Sequence, residues 1–131
     1  MSQSNQTSQS FYENFDLSVD ITETGYTTRN GLTIRKLEGF QISLLNRELE
    51  INYDTTARLD PSISFTEIEF HGDAYGGVDL QFYDESGEHI VTERFSQGPT
   101  TFRLKKAAAY IIIPYENSHG RFKIEFLRWS K

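Results

Sequence analysis

Apolar and polar residues alternate with period two along much of this chain, the pattern of half-buried β-strands. The plainest case is Val78-Asp79-Leu80-Gln81-Phe82-Tyr83, followed by Asp84-Glu85-Ser86-Gly87 and then His89-Ile90-Val91-Thr92-Glu93-Arg94-Phe95. The middle segment has an Asp that can close on its own backbone and a Gly suited to positive φ. The whole stretch therefore predicts a β-hairpin. Before it, alternation puts Phe15, Leu17, Val19 and Ile21 on one face of a first strand region. Asn30-Gly31 marks a turn into a strand at Leu32 to Leu37. Gly39 to Asn46 fits a strand or one helical turn, and Arg47 to Tyr53 predicts a strand burying Leu49, Ile51 and Tyr53.

Between Ile63 and His71 the apolar phase slips, because Ile63 and Phe65 share one parity while Ile68 and Phe70 share the other. A strand cannot bury both pairs without an extra residue, which predicts a β-bulge near Thr66. Gly72 to Gly77 reads as a glycine-rich loop and Ser96 to Thr100 as another. Ala107 to Pro114 is almost continuously apolar, as in a central strand covered on both faces. In the last strand, Phe122, Ile124 and Phe126 take the inward parity, leaving Lys123, Glu125, Leu127 and Trp129 outward. Eight or nine short strands without helix-length crossovers predict an all-β fold, an antiparallel β-sandwich of jelly-roll kind. It forms a single domain over residues 11–131, behind a polar tail at residues 1–10 too poor in apolar side chains to order itself.

Charge and composition narrow the function. A net charge of −6 with scattered basic residues argues against nucleic acid as a partner. There are no cysteines, hence no disulfides and no thiolate metal site. No apolar run approaches the roughly 20 residues of a membrane span. The start of the chain lacks the features of a signal peptide, so the sequence as written predicts a cytoplasmic protein, or an extracellular one if it is cut from a longer secreted chain.

Candidate chemistry is sparse. Glu67, Glu69 and His71 share a solvent face, with Asp79, Gln81 and Tyr83 expected beside them on the hairpin. Such a set suits a sugar or cation site, or an ordinary solvated sheet face. His71, His89 and His119 lie in separate segments without metal-ligand spacing. No nucleophile or phosphate-binding motif is present, so no enzyme activity, cofactor or metal is expected. A structural calcium is compatible with such folds, but no loop motif supports one. The aromatics say more. An outward Trp129 can stack on a sugar ring or anchor a protein interface. Tyr75 tips the glycine-rich loop beside Asp73, and Tyr115, Asn117 and His119 offer the hydroxyl, amide and imidazole that saccharides engage.

The run Val78-Asp79-Leu80-Gln81-Phe82-Tyr83-Asp84-Glu85-Ser86-Gly87 resembles the hairpin of small carbohydrate-binding-module-like sandwiches. Phe102-Arg103-Leu104, Ala108 to Ile113 and the closing Phe122-x-Ile124-x-Phe126 follow as in those domains. Within that group the chain is similar to the small third subunit of the accessory Sec system, associated with export of glycosylated serine-rich adhesins in Gram-positive bacteria. The resemblance spans about Glu67 to Trp129, and the segment from Phe11 to Asp60 departs from that family's early pattern. It implies a non-catalytic subunit that contacts sister subunits and binds glycans. The resulting expectation is a carbohydrate-binding module using Trp129, Tyr75, Tyr115, Asn117 and Asp73, with a glycan or glycosylated protein as partner. The alternatives are a protein-interaction subunit of a secretion or assembly complex without a sugar ligand and, third, a hydrolase.

Overall fold

The computed structural model describes residues 10–16, 18–116 and 120–131. Twelve strands follow one another: β1 (Ser10–Glu13), β2 (Val19–Ile21), β3 (Tyr26–Thr27), β4 (Thr33–Glu38), β5 (Ile42–Leu45), β6 (Glu48–Asn52), β7 (Thr55–Asp60), β8 (Phe65–Tyr83), β9 (His89–Gln97), β10 (Thr100–Ala108), β11 (Tyr110–Tyr115) and β12 (Arg121–Ser130). Every pairing is antiparallel, and no helix occurs among the described residues. The all-β, antiparallel prediction therefore holds.

The registers reveal a simpler plan than twelve separate strands. Consecutive strands lie end to end in lanes ordered β2/β3, β5/β4, β6/β7, β12/β11, β8 and β10/β9. Only β8 crosses its lane unbroken, with β12 and β10 flanking its first half and β11 and β9 its second. The segment Gly72 to Gly77, expected as a loop, lies inside this 19-residue strand. A long bulge replaces the loop: Asp73 pairs with Gln97 but Val78 pairs with Phe95, leaving three more residues on β8 than on β9. Gly76 and Gly77 have φ of 80° and 81°, values that L side chains rarely adopt.

This bulge bends the strand back on itself. Phe65 and Phe82 are 17 residues apart, which extended chain would separate by about 55 Å. Their rings are instead 6.2 Å apart, edge to face. Phe102 joins them, 6.0 Å from both Phe70 and Phe82. The two ends of β8 are tied together by residues on either side of Ala109, since Ala108 pairs with Phe65 and Tyr110 with Tyr83. The result is a nearly closed sheet around one core that includes Ile34, Leu49, Leu59, Phe70, Phe95 and Phe122.

Local expectations fare unevenly. The hairpin is present: Gly87 N–H donates to Asp84 O at 3.0 Å, and Asp84 Oδ1 accepts from Ser86 N and Glu88 N, each at 2.9 Å. The phase slip is real, with Phe65 and Ile68 both fully buried and two residues between them. The apolar run 107–114 is instead two strands joined at Ala109, and β11 alternates, with Ile112 half-exposed. Tyr53 is exposed and Asn52 buried, because the chain turns at Asp54 with φ of 53°.

The last strand departs most. Ile124 pairs with Gly72 while Phe126 pairs with His71, so Glu125 is an extra residue on β12. A bulge resets side-chain parity. Beyond it Leu127 and Trp129 turn into the core at 0% exposure, and Phe126 moves to the half-exposed outer side. The outward Trp129 of the sequence reading is thus a core residue.

Two substitutions test this architecture in urea denaturation. Gly72→Val places a Cβ 2.0 Å from Lys123 O, so it should cost at least about 1–3 kcal/mol as overpacking. Trp129→Ala should cost about 3–5 kcal/mol, as for a buried aromatic. An unchanged midpoint in either variant would contradict the packing described.

Candidate functional site

The structure splits the five expected binding residues. Asp73 and Tyr75 are exposed, and Tyr75 lies against Gly120, at which an added Cβ would meet its ring. Tyr115 is buried at 1% exposure, packs on Phe122, and donates its hydroxyl to Tyr75 O at 2.7 Å. It buttresses that corner and presents nothing to a ligand. Burial pushes its phenol above the usual range, with Asp73 adding to the effect. Asn117 lies outside the described residues, as do His119, Leu17 and the first nine residues. Trp129 pairs opposite Ile68, seven residues along β12 from Phe122 opposite Ala74, so about 20 Å of strand separates it from Tyr75.

The carboxylate set of β8 is also divided. Glu67, Glu69 and His71 share the outer side of the first half of β8, whereas Asp79, Gln81 and Tyr83 lie on the second half beyond the bend. The two groups therefore form no common concave face. Glu69 is already engaged, accepting a short hydrogen bond from Arg128 and contacting His71 Nε2 at 2.6 Å. These bonds, Arg128 first, hold its carboxyl below the usual range. Glu67 faces Arg103 at 3.5 Å. No cluster of metal-ligating side chains occurs among the described residues.

A groove of about 460 Å³ opens at the β8 bend, lined by Gly76, Asp79, Gln81, Arg94 and Glu116 among others. Its polar groups answer one another: Arg94 bonds Asp79 Oδ1 and Gly76 O, both at 2.9 Å.

A larger hollow, of about 660 Å³, lies between β1 and the turn joining β3 to β4. Its size is within the range of small-molecule sites, roughly 300–1,000 Å³. β1 lies along β12, from Ser10 opposite Ser130 to Glu13 opposite Leu127; it supplies Tyr12 and Glu13, and Asn14 follows directly after it. Phe15 then takes φ of 55° while fully buried, an unusual backbone for a bulky residue. Its N–H donates to Glu13 Oε2 at 2.8 Å. On the other side, Thr28 closes the turn: its N–H donates to Leu32 O at 2.8 Å, and its Oγ1 accepts from Leu32 N at 3.1 Å. That turn, foreseen from Asn30-Gly31, presents Arg29 and Asn30 to the hollow beside Tyr26.

Glu13 is only 3% exposed, and its Oε1 has no hydrogen-bond partner. Tyr12, 53% exposed, stacks on Phe126 at 5.9 Å, and the His71 ring meets the edge of that pair 5.1 Å from Phe126. A smaller adjoining hollow of about 300 Å³ shares Tyr12, Arg29 and Asn30. The site thus combines two phenol rings, two carboxamides, a guanidinium, the exposed carboxylate of Asp16 and the buried one of Glu13. The sequence reading missed it because its members come from two segments 10 or more residues apart, neither carrying a motif. The one available signal was the conspicuous run of polar and aromatic residues from Tyr12 to Asp16.

No family model matches this chain, and no curated protein matches it. Neither comparison supports the resemblance to the accessory Sec subunit. Among solved structures, a mutant of the lectin binding domain of lectinolysin complexed with Lewis b matches with 11% identity and a TM-score of 0.48, over 65% of this chain and 72% of that one. A likeness of that degree carries no argument for function.

The Glu69 environment makes a pH prediction. Because its folded pKa is depressed, its stabilisation is present above the ordinary glutamate range and is lost as pH falls through the lowered value. Arg128→Met should therefore flatten the acid-side loss of stability in a urea–pH series. Arg128 is half-exposed, which limits the change to about 1 kcal/mol. Identical slopes for variant and parent would show that the pair is energetically silent.

Proposed function

We propose that this protein is a non-catalytic carbohydrate-binding module and that the hollow between β1 and the β3–β4 turn holds the sugar. The observation that carries this reading is the convergence of Tyr12, Tyr26, Asn14, Asn30 and Arg29 around the buried carboxylate of Glu13. Each group has a part in saccharide recognition. Phenol rings cover the apolar face of a pyranose, and carboxamides both donate to and accept from hydroxyls. Glu13 accepts a charge-assisted bond, worth more than a neutral one. The reading takes the two halves of the folded sheet as the layers of a β-sandwich, with β1 and the β3–β4 turn as the edges that carry the site. Hydrolysis has less support in this set, since the second carboxyl of the hollow, Asp16, is exposed and faces Arg47 at 3.4 Å instead of sitting in a water-excluded cleft opposite Glu13.

A protein-docking role without sugar has a smaller basis. The exposed pair Phe40 and Tyr53 stack at 5.6 Å, and both are more than a third exposed. Two rings cover far less than the roughly 800 Å² per partner of a stable interface.

The test is a glycan-array screen followed by calorimetry on the purified protein. Glu13→Ala and Tyr26→Ala should each weaken binding at least about tenfold, the loss expected for a buried charge-assisted bond or a stacking ring. Tyr75→Ala should leave affinity unchanged. If Tyr75→Ala abolishes binding while Glu13→Ala retains it, the site belongs at the β8 bend instead.

A further inference from the structure

Among the described residues, two buried side-chain polar atoms lack a hydrogen-bond partner: Glu13 Oε1 and Trp129 Nε1. One only accepts and the other only donates. They are neighbours in the fold. Glu13 pairs with Leu127 and Phe11 with Trp129, which makes Glu13 and Trp129 diagonal partners across the β1–β12 ladder. Both side chains point inward. Diagonal positions lie about 7–8 Å apart, within reach of one bridging atom between long side chains. Phe11 stacks on the Trp129 ring at 6.1 Å and holds the indole in its plane.

Resting on the carbohydrate reading above, we infer that the ligand group recognised at Glu13 is a neutral hydroxyl and that Trp129 is its second contact. A hydroxyl donates to the Glu13 carboxylate and accepts from the indole N–H with the same oxygen. An ammonium satisfies Glu13 but has no lone pair to offer Trp129. A carboxylate or sulfate accepts from Trp129 but meets Glu13 as a like charge. A site whose buried polar groups are left unpaired by the wrong ligand discriminates strongly. Both atoms are covered in the structure; Glu13 borders the hollow and Trp129 lies behind it, so the hydroxyl enters from the hollow past the Glu13 carboxylate to reach the indole. An internal water can satisfy the same two atoms, and the experiment separates the two cases.

Trp129 is the chain's only tryptophan, so its fluorescence reports directly on this site. Purified protein is titrated with neutral hexose oligosaccharides, with their 2-amino-2-deoxy counterparts and with the corresponding uronic acids. Calorimetry and Trp129 emission are both read. Neutral sugars should bind at least about tenfold tighter than either charged series and shift the emission. Trp129→Phe, which keeps the ring and removes the N–H, should lose about tenfold in affinity for the neutral ligand. Equal or tighter binding of an amino or uronic sugar overturns the inference. So does a folded Trp129→Phe that binds neutral sugar like the parent, which would mean an internal water only. The wild-type selectivity stands as a test even if that variant does not fold. Failure of every sugar class to bind would instead overturn the carbohydrate reading itself.

Discussion

The fold depends on one bent strand. β8 is the only lane that crosses the sheet without a break, and its four flanking strands take their positions from it. Had it stayed straight, its two apolar faces would be separate, each needing a different cover. The unmatched residues between Asp73 and Val78, with Gly76 and Gly77 at positive φ, let the second half fold over the first. Phe65, Phe70, Phe82 and Phe102 then meet in one cluster. The other lanes are interrupted where they cross the same line. Among the described residues, breaks occur at 39–41, 53–54 and 98–99.

The same device recurs on a smaller scale in β12 and decides where the aromatic chemistry goes. One extra residue, Glu125, exchanges the faces of everything after it. Trp129 enters the core, where it supports β1 through Phe11. Phe126 comes out, where it supports Tyr12. The hollow therefore borrows its rigidity from a bulge several residues away from any of its lining groups. β1 is too short to hold itself, and these two ring contacts together with its ladder to β12 fix the position from which Tyr12 and Glu13 act.

The charged outer side of β8 has a different character from the hollow. Glu67, Glu69 and Asp79 each have a cationic partner within 3.5 Å, and these pairs sit at the surface, where salt screens them. Glu13 is the opposite case, buried with one oxygen held by a backbone N–H and the other unmatched. Paired surface charges keep a sheet soluble. A half-satisfied buried one is where a ligand has something to add.

The sequence by itself determined the class of structure. Period-two alternation, the Asp84–Gly87 turn, the Asn30-Gly31 turn and the phase slip between Phe65 and Ile68 are local signals, set by side-chain sterics and hydrogen bonding within a few residues. Each is visible in the structure for that reason. What only the tertiary structure decided is which face points inward after each irregularity, and which distant segments meet. The parity of Trp129 turned on a bulge whose only trace in the sequence is two consecutive apolar residues, Phe126 and Leu127. The neighbourhood of Glu13 turned on a ladder between the first strand and the last. Pairings of that kind are chosen by the closure of the whole sheet around its core, a constraint that no window of neighbouring residues contains.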